Sequence, residues 1–371
     1  MAYDVIVSGH LCADIIPDTS AVPLSAFGSA GKLFEVGALT LSTGGAVSNT
    51  GMALHRLGAE VGLMTSVGDD LLGRVIIAKL KDCDPKLSEL IKLRSGESSS
   101  YSVILTPNNA DRIILHCPGN NTHFDLADVD FEVVQQSKMF HLGYPPLLPS
   151  LYSNNGASLT TLFQHVHDSG TITSLDMTHP DPGGASGQVD WAQVLRRALP
   201  YVDIFLPSIE EIVFMLRRAD YDRWHGDVLA HLNRAYLRQL ADELISMGVV
   251  IAGFKLGEYG FYLKTSGDSR AFARFIPLGL STAQWQSLEL WHPAFQVNVV
   301  GTIGAGDCAY AGFLAALLRG LPPEAALRFT CAVGAFNVES ADATSGVQSW
   351  DATMTRIKAG WATLSYALPE D

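Results

Sequence analysis

Positive charge is scarce in this 371-residue chain: 25 Lys and Arg stand against 38 Asp and Glu, for a formal net charge of −13, and no basic run occurs. Nucleic acid as a main partner is therefore not expected, because phosphate backbones are bound by clustered Lys and Arg. Cysteine is scarce too. Cys12, Cys83, Cys117, Cys308 and Cys331 are scattered, odd in number and form no C-x-x-C pair. That argues against a disulfide framework or a zinc site and fits a reducing cytoplasm. No unbroken apolar run approaches ~20 residues, so no membrane span is expected. The first seven residues lack the basic region and long apolar core of a signal peptide. No G-x-x-x-x-G-K-[ST] occurs and no G-x-G-x-x-G follows the first strand, which excludes a P-loop and argues against a dinucleotide-dependent dehydrogenase.

What is present is apolar and alternating. Hydrophobic residues make up 47% of the chain and charged residues only 17%, enough for a large buried core and too apolar for disorder. Val5-Ile6-Val7 reads as an opening strand. Gly44-Gly45-Ala46 leads into a helix through Leu57 that Gly58 stops, followed by a strand at 61–65 and a helix at 71–80. From Met139 the rhythm is regular, with strands expected at 139–142, 172–176, 202–206 and 249–255. Helices are expected near 156–168, 189–199, 209–217, 228–247, 323–338 and 351–363. Alternating strands and helices imply a mostly parallel sheet flanked by helices on both faces, with ligands at the carboxyl ends of the strands. The Gly-, Pro- and Ser-rich stretch 11–43 breaks this rhythm. So do two β-like runs, 101–105 and 112–116, which read as a hairpin turning at 108–111. We read both interruptions as a small β lid. The stretch 266–294 carries no assignable period.

Near the C-terminal end Gly301-Thr302-Ile303-Gly304-Ala305-Gly306-Asp307 follows the apolar run 295–300 and leads into an apolar helix. This reads as strand, glycine loop and helix. Small residues let backbone N–H groups converge, and a helix start favours anions. A carboxylate beside such a cradle suits an enzyme that deprotonates a hydroxyl while holding a phosphoryl group. Taken alone, Asp307 could equally be a helix cap.

The segment 301–313 resembles the C-terminal signature of the ribokinase/PfkB family of carbohydrate kinases. The stretch Gly44-Gly45-Ala46-Val47-Ser48-Asn49, continuing to Val67-Gly68-Asp69-Asp70 and Gly73, resembles that family's N-terminal signature. The resemblance runs from Val7 to about Val347. It implies a ribokinase-like fold and an ATP-dependent kinase, with Mg2+, acting on a hydroxyl of a sugar or sugar derivative. A nucleoside kinase, or a non-catalytic sugar- or nucleotide-binding relative, is the alternative. It implies an α/β nucleotide-binding and catalytic domain over 1–10, 45–95 and 119–371, and a lid over 11–44 and 96–118. A homodimer through the lid is a further expectation.

The resemblance also assigns roles. Asp307 would be the catalytic base, and the N–H groups of the Gly304-Ala305-Gly306-Asp307 turn would face the phosphoryl charge. Asp14, Gly44, Gly45, Asn49 and Asn121 would bind the sugar. Asp14 could otherwise be a turn residue and Asn49 a helix cap. Lys255, Gly257, Gly260, Thr302 and Asn337 would bind the nucleotide, with a sheet edge as the other reading of Lys255. Glu211, in a stretch resembling P-N-x-x-E, would organise Mg2+ through water; first-turn helix charge is its other reading. Two departures stand out. Ser208 replaces the motif's asparagine, and Gly301 replaces an aspartate, which puts a monovalent cation in doubt. His10, His116 and His141 read as structural residues.

Overall fold

The computed structural model describes residues 3–28, 30–108 and 112–370. The hairpin turn expected at 108–111 falls, from 109 to 111, outside them. The strands of the N-terminal half are β1 (Val5–Gly9), β2 (Cys12–Pro17), β3 (Leu39–Gly44), β4 (Val61–Gly68), β5 (Ile91–Arg94), β6 (Tyr101–Leu105) and β7 (Ile113–Cys117). Then come β8 (Met139–Gly143), β9 (Ile172–Asp176), β10 (Ile204–Phe205), β11 (Ile251–Lys255), β12 (Phe261–Thr265) and β13 (Glu289–His292).

The large sheet runs β13-β12-β11-β10-β9-β8-β1-β4-β5. It is parallel from β11 to β5, with β12 and β13 added antiparallel at one edge. The buried strands β1, β4, β8, β9 and β11 carry no exposed face, as a parallel sheet covered on both sides requires. One apolar core lies on each face. Leu63, Phe313 and Phe329 belong to one, Phe140, Phe163 and Leu240 to the other. A second sheet, β3-β2-β6-β7, uses residues from the two stretches that break the alternation. Its β2 and β6 pair in parallel, and its two edge pairings are antiparallel.

Several boundaries moved for local reasons. The helix Pro149–Asp168 is interrupted at Ser153–Gly156, where Asn154, Asn155 and Gly156 take left-handed backbone angles; Asn and Gly tolerate that region best. Its continuous part therefore starts where the periodicity does. The helix expected from 228 starts only at Arg234, because the Asn233 side chain caps it, accepting from Tyr236 N at 2.7 Å. The unassigned stretch holds a 3-10 segment, Ala271–Leu278, one α turn, Thr282–Trp285, and β13.

One expected element is corrected. The run 295–300 is not a strand: only Phe295 makes a β-bridge, to Thr363. Val299 and Val300 are exposed, and the N–H groups of Val300 and Gly301 both turn to the Val338 carbonyl at the end of the helix Pro323–Val338. The apolar side chains of this run line a cleft instead of a sheet face.

The helix that follows, Ala305–Leu318, is buried along nearly its whole length. A helix apolar all round belongs inside a core. It packs between the helices Ala46–Arg56 and Pro323–Val338. One turn past Asp307, the Tyr310 hydroxyl accepts from Ser174 at 2.9 Å and lies 3.1 Å from the carbonyls of Leu175 and Ile204. The helix start is thereby fixed against the sheet.

Candidate active site

Asp307 sits in the first turn of this helix, is 3% exposed, and faces the carboxyl ends of the parallel strands. Gly304 precedes the turn with φ 70°. Among the described residues the N–H groups of Gly306 and Asp307 have no backbone partner, as expected at a helix start. The Ala305 N–H is only loosely engaged, at 3.4 Å from Thr302 O. Asp307 Oδ2 accepts from Asn49 Nδ2 at 2.9 Å. The Tyr144 hydroxyl lies 2.7 Å from both carboxylate oxygens. Burial pushes the Asp307 pKa up; the Lys255 ammonium and the hydrogen bonds from Asn49 and Tyr144 oppose that rise.

A charge cluster lies beside it. Lys255, the last residue of β11, places Nζ 2.6 and 2.8 Å from the carboxylate of Asp176, the last residue of β9. Both are buried. Burial works against the lysine charge, but Asp176, Glu211 and Asp307 outweigh it and hold the ammonium above its usual pKa. Burial lifts Asp176 to about 6 and Glu211 to about 8 against the pull of the same lysine. Three carboxylates thus share one ammonium, a site short of positive charge. Gly306 leaves room for this arrangement: a Cβ there would lie 3.2 Å from Lys255 Cδ.

Glu211 stands in the first turn of its helix, as its second reading expects. Its Oε2 accepts from Ser208 N at 2.8 Å, closing a capping box on the helix Ile209–Leu216, and its charge belongs to the Lys255 cluster. Among the described residues no three His, Cys, Asp or Glu side chains converge as a ready metal cage. Mg2+ keeps several waters and takes one or two carboxylates, so the under-neutralised acids around Glu211 fit it.

A cleft of about 620 Å3 opens from this cluster. Lys255, Gly257, Gly260, Thr302, Ala305 and Gly306 line it. Its far part is apolar, with Val297, Val299, Ala309 and Ala335. Arg112, ahead of β7, also lines it and donates to Thr302 Oγ1 at 3.2 Å. Asn337 does not line it. It is buried behind the glycine loop and donates to Ile303 O at 2.8 Å, so it shapes the loop from the rear.

On the other side of Asp307 lie the residues of the small sheet and its joins. Asp14, on β2, is buried and raised by burial to about 6. A Cβ at Gly44 would stand 2.2 Å from Asp14 Oδ2, so glycine is what lets that carboxylate in. His10, behind β1, is buried with both ring nitrogens unpartnered; its ring faces Tyr144 at 6.1 Å and His116 at 5.1 Å. Burial lowers the pKa of both histidines, which keeps them neutral. Asn121 donates to Leu11 O at 2.9 Å. The Oδ1 atoms of Asn49 and Asn121 are buried without a partner. Orphaned buried polar atoms are rare and demand an explanation; a polar ligand provides one. His141 is held through Nδ1 by Ser174 at 2.9 Å, while its Nε2 is likewise buried without a partner.

Asp14 also predicts a pH dependence. Its folded pKa, about 6, lies above the ordinary value of 3.8. Its contribution to stability is therefore greatest below about 4 and is lost as pH rises through about 6. The ligand-free Asp14→Asn protein should lose less stability than wild type between pH 4 and 6.5. Urea unfolding at both pH values checks this, and parallel curves would refute it.

Tyr144, Asp176 and Arg112 carry no role in the sequence reading, and His10 reads there as structural. Asp176 had a signal, a carboxylate closing an otherwise uncharged buried strand at the ligand end of the sheet. Tyr144 and Arg112 had none.

At Gly301, a Cβ would lie 2.9 Å from Ser340 O and 3.0 Å from Ala341 O. The backbone fills the place of the side chain that the resemblance leads one to expect.

Comparison with known proteins gives a consistent answer. An uncharacterized sugar kinase of Archaeoglobus fulgidus is 26% identical over 299 residues, covering 80% of this chain and 98% of that protein. A 2-dehydro-3-deoxygluconokinase of Bacillus subtilis is 23% identical over 310 residues, covering 84% and 85%. Among solved structures, Arabidopsis thaliana ribokinase complexed with ribose and ATP superposes with a TM-score of 0.73 at 18% identity, covering 96% of this chain and 99% of that one. A putative ribokinase II from E. coli in complex with ATP and Mg2+ gives 0.70 at 17%, covering 97% and 100%. These likenesses fix the fold as ribokinase-like. The family model for pfkB family carbohydrate kinases matches residues 3–350, and the chain belongs to that family.

Proposed function

We propose that this carbohydrate kinase transfers the γ-phosphoryl group of ATP to a hydroxyl of a sugar or sugar derivative, with Asp307 as the base. The observation that carries this reading is the placement of Asp307: a buried carboxylate at a helix start, between a cleft lined by Lys255 and Arg112 and a group of unpartnered buried polar atoms. The cleft volume and its apolar far part suit a nucleobase, with the phosphates toward Lys255 and the helix start. The N–H groups of Gly306 and Asp307 would receive the developing charge, and Lys255 would neutralise it. Glu211 would hold Mg2+ through water, and the ion would supply positive charge to offset that of the phosphates. Asp14 and the Asn49 and Asn121 amides would read hydroxyls of the acceptor, since ionised carboxylates and free amide oxygens accept from O–H groups. Gly301 offers no side-chain cation ligand, so the scheme is written without a role for a monovalent ion.

Coupled ADP-release assays over a panel of neutral sugars, sugar acids and nucleosides test the reading. Acceptor-dependent ADP release with a sugar supports it. Preference for nucleosides would move the substrate class, and no release with any acceptor would leave a binding protein.

The small sheet would act as the lid, and its apolar outer residues motivate one expectation. Leu39 on edge strand β3 and Ile114 and Leu115 on edge strand β7 are exposed. A second copy pairing along an edge strand would cover the apolar side chains there, since unpaired strand edges are templates for association. Light scattering should give twice the monomer mass, falling to the monomer for Ile114→Glu/Leu115→Glu. Wild type that is monomeric at all concentrations would refute the dimer.

A further inference from the structure

The Tyr144 hydroxyl covers the oxygens that a base must present. Oδ2 of Asp307 also takes the Asn49 amide, whereas Oδ1 has only Tyr144 among the described residues. An acceptor hydroxyl that gives its proton to Asp307 must contend with the tyrosine for this position. The tyrosine is also held in an unfavourable backbone state. Its φ of 66° and ψ of 48° are left-handed, rare for a bulky residue, and Pro145 follows it, which disfavours that region less than helix but prefers extended backbone. Its N–H donates to Asp176 O at 3.2 Å. Strain of this kind persists where the surroundings impose it and clusters at functional sites. Finally, the neighbouring ring of His10 offers two buried nitrogens with no partner, a place for a displaced hydroxyl to turn to.

Building on the kinase reading, we propose that Tyr144 is a positioning residue that occupies the base in the acceptor-free enzyme, keeps water from it, and yields to the acceptor hydroxyl. In the closed arrangement the proton stays on the tyrosine, because burial and the adjacent carboxylates of Asp307 and Asp176 push its own pKa well up. Its hydrogen bond favours the ionised form of Asp307. The other groups facing Asp307 are the Lys255 ammonium, Asp176 and the neutral Asn49 amide, with the buried Cys308 thiol next in the chain.

The test is Tyr144→Phe, which removes only the hydroxyl, with Tyr144→Leu as a second variant. With ATP and Mg2+ but no acceptor, both should release ADP about tenfold faster than wild type, a change of about 1.4 kcal/mol in barrier. Adding Asp307→Asn should abolish the gain. In the ligand-free protein, carboxyl-carbon NMR should find Asp307 titrating about one unit higher in Tyr144→Phe, matching the loss of a hydrogen bond to a charged group. Acceptor-free ADP release within twofold of wild type in both variants overturns the proposal, as does an unmoved Asp307 titration. Wild type that phosphorylates no acceptor would instead remove the kinase reading, and the NMR titration would still decide whether the hydroxyl holds the carboxylate.

Discussion

Asp307→Asn is expected to lower kcat about 10³-fold while leaving the fold intact. General base catalysis of this kind is worth roughly 10²–10⁴, and the acceptor hydroxyl here has no second carboxylate in contact with Asn49 and Tyr144 to turn to. Asparagine keeps the shape and most of the hydrogen bonding. It also removes a buried negative charge whose pKa burial has raised, so the unfolding midpoint should hold or rise above neutral pH. The KM for ATP should move by only a few-fold, because Asp307 does not line the cleft proposed for the nucleotide. Steady-state kinetics with a fixed acceptor checks all three. A variant that keeps more than a tenth of wild-type kcat would end the base assignment.

The second large effect concerns Lys255, which is 8% exposed and serves three buried or half-buried acids. Lys255→Met deletes the positive half of a buried pair, a change that costs about 3–5 kcal/mol when one charge is left behind. The sign of its pH dependence follows from the acids. Without the ammonium, Asp176 and Glu211 rise further above values already lifted to about 6 and about 8. Folded-state pKa values above the unfolded ones mean that stability is retained at low pH and lost as pH climbs through them. The deficit relative to wild type should therefore widen from pH 5 to pH 8.5, and urea unfolding at those two values measures it. Turnover should fall about 10²–10³-fold, the usual effect of removing one transition-state charge partner. A stability deficit independent of pH would show that Lys255 does not serve these acids.

Much of the fold was legible because it rests on local rules. Gly58 ending the first helix, with φ 84°, and the buried strands β8, β9 and β11 follow from turn chemistry and apolar runs. The run 295–300 misled because periodicity cannot separate apolar residues that fill a sheet from those that line a cleft. The candidate site was legible where its residues lie within one short segment, as in 301–307; the approach of Gly44 to Asp14 across two paired strands was not. Nor were contacts between distant segments. Tyr144 meets Asp307 across 163 positions and Lys255 meets Asp176 across 79, and only the order of strands in the sheet brings them together. Asn337 shows the converse: its place in the chain suggested the cleft, while its amide faces Ile303 behind the loop.

The crowded backbone at position 301 ties two stretches of chain together. With the carbonyls of Ser340 and Ala341 at 2.9 and 3.0 Å from where a Cβ would sit, any side chain larger than hydrogen needs the 340–341 segment to give way by a few tenths of an ångström. A substitution at 301 would therefore register first in the segment after the helix Pro323–Val338, whose last carbonyl the Gly301 N–H already engages.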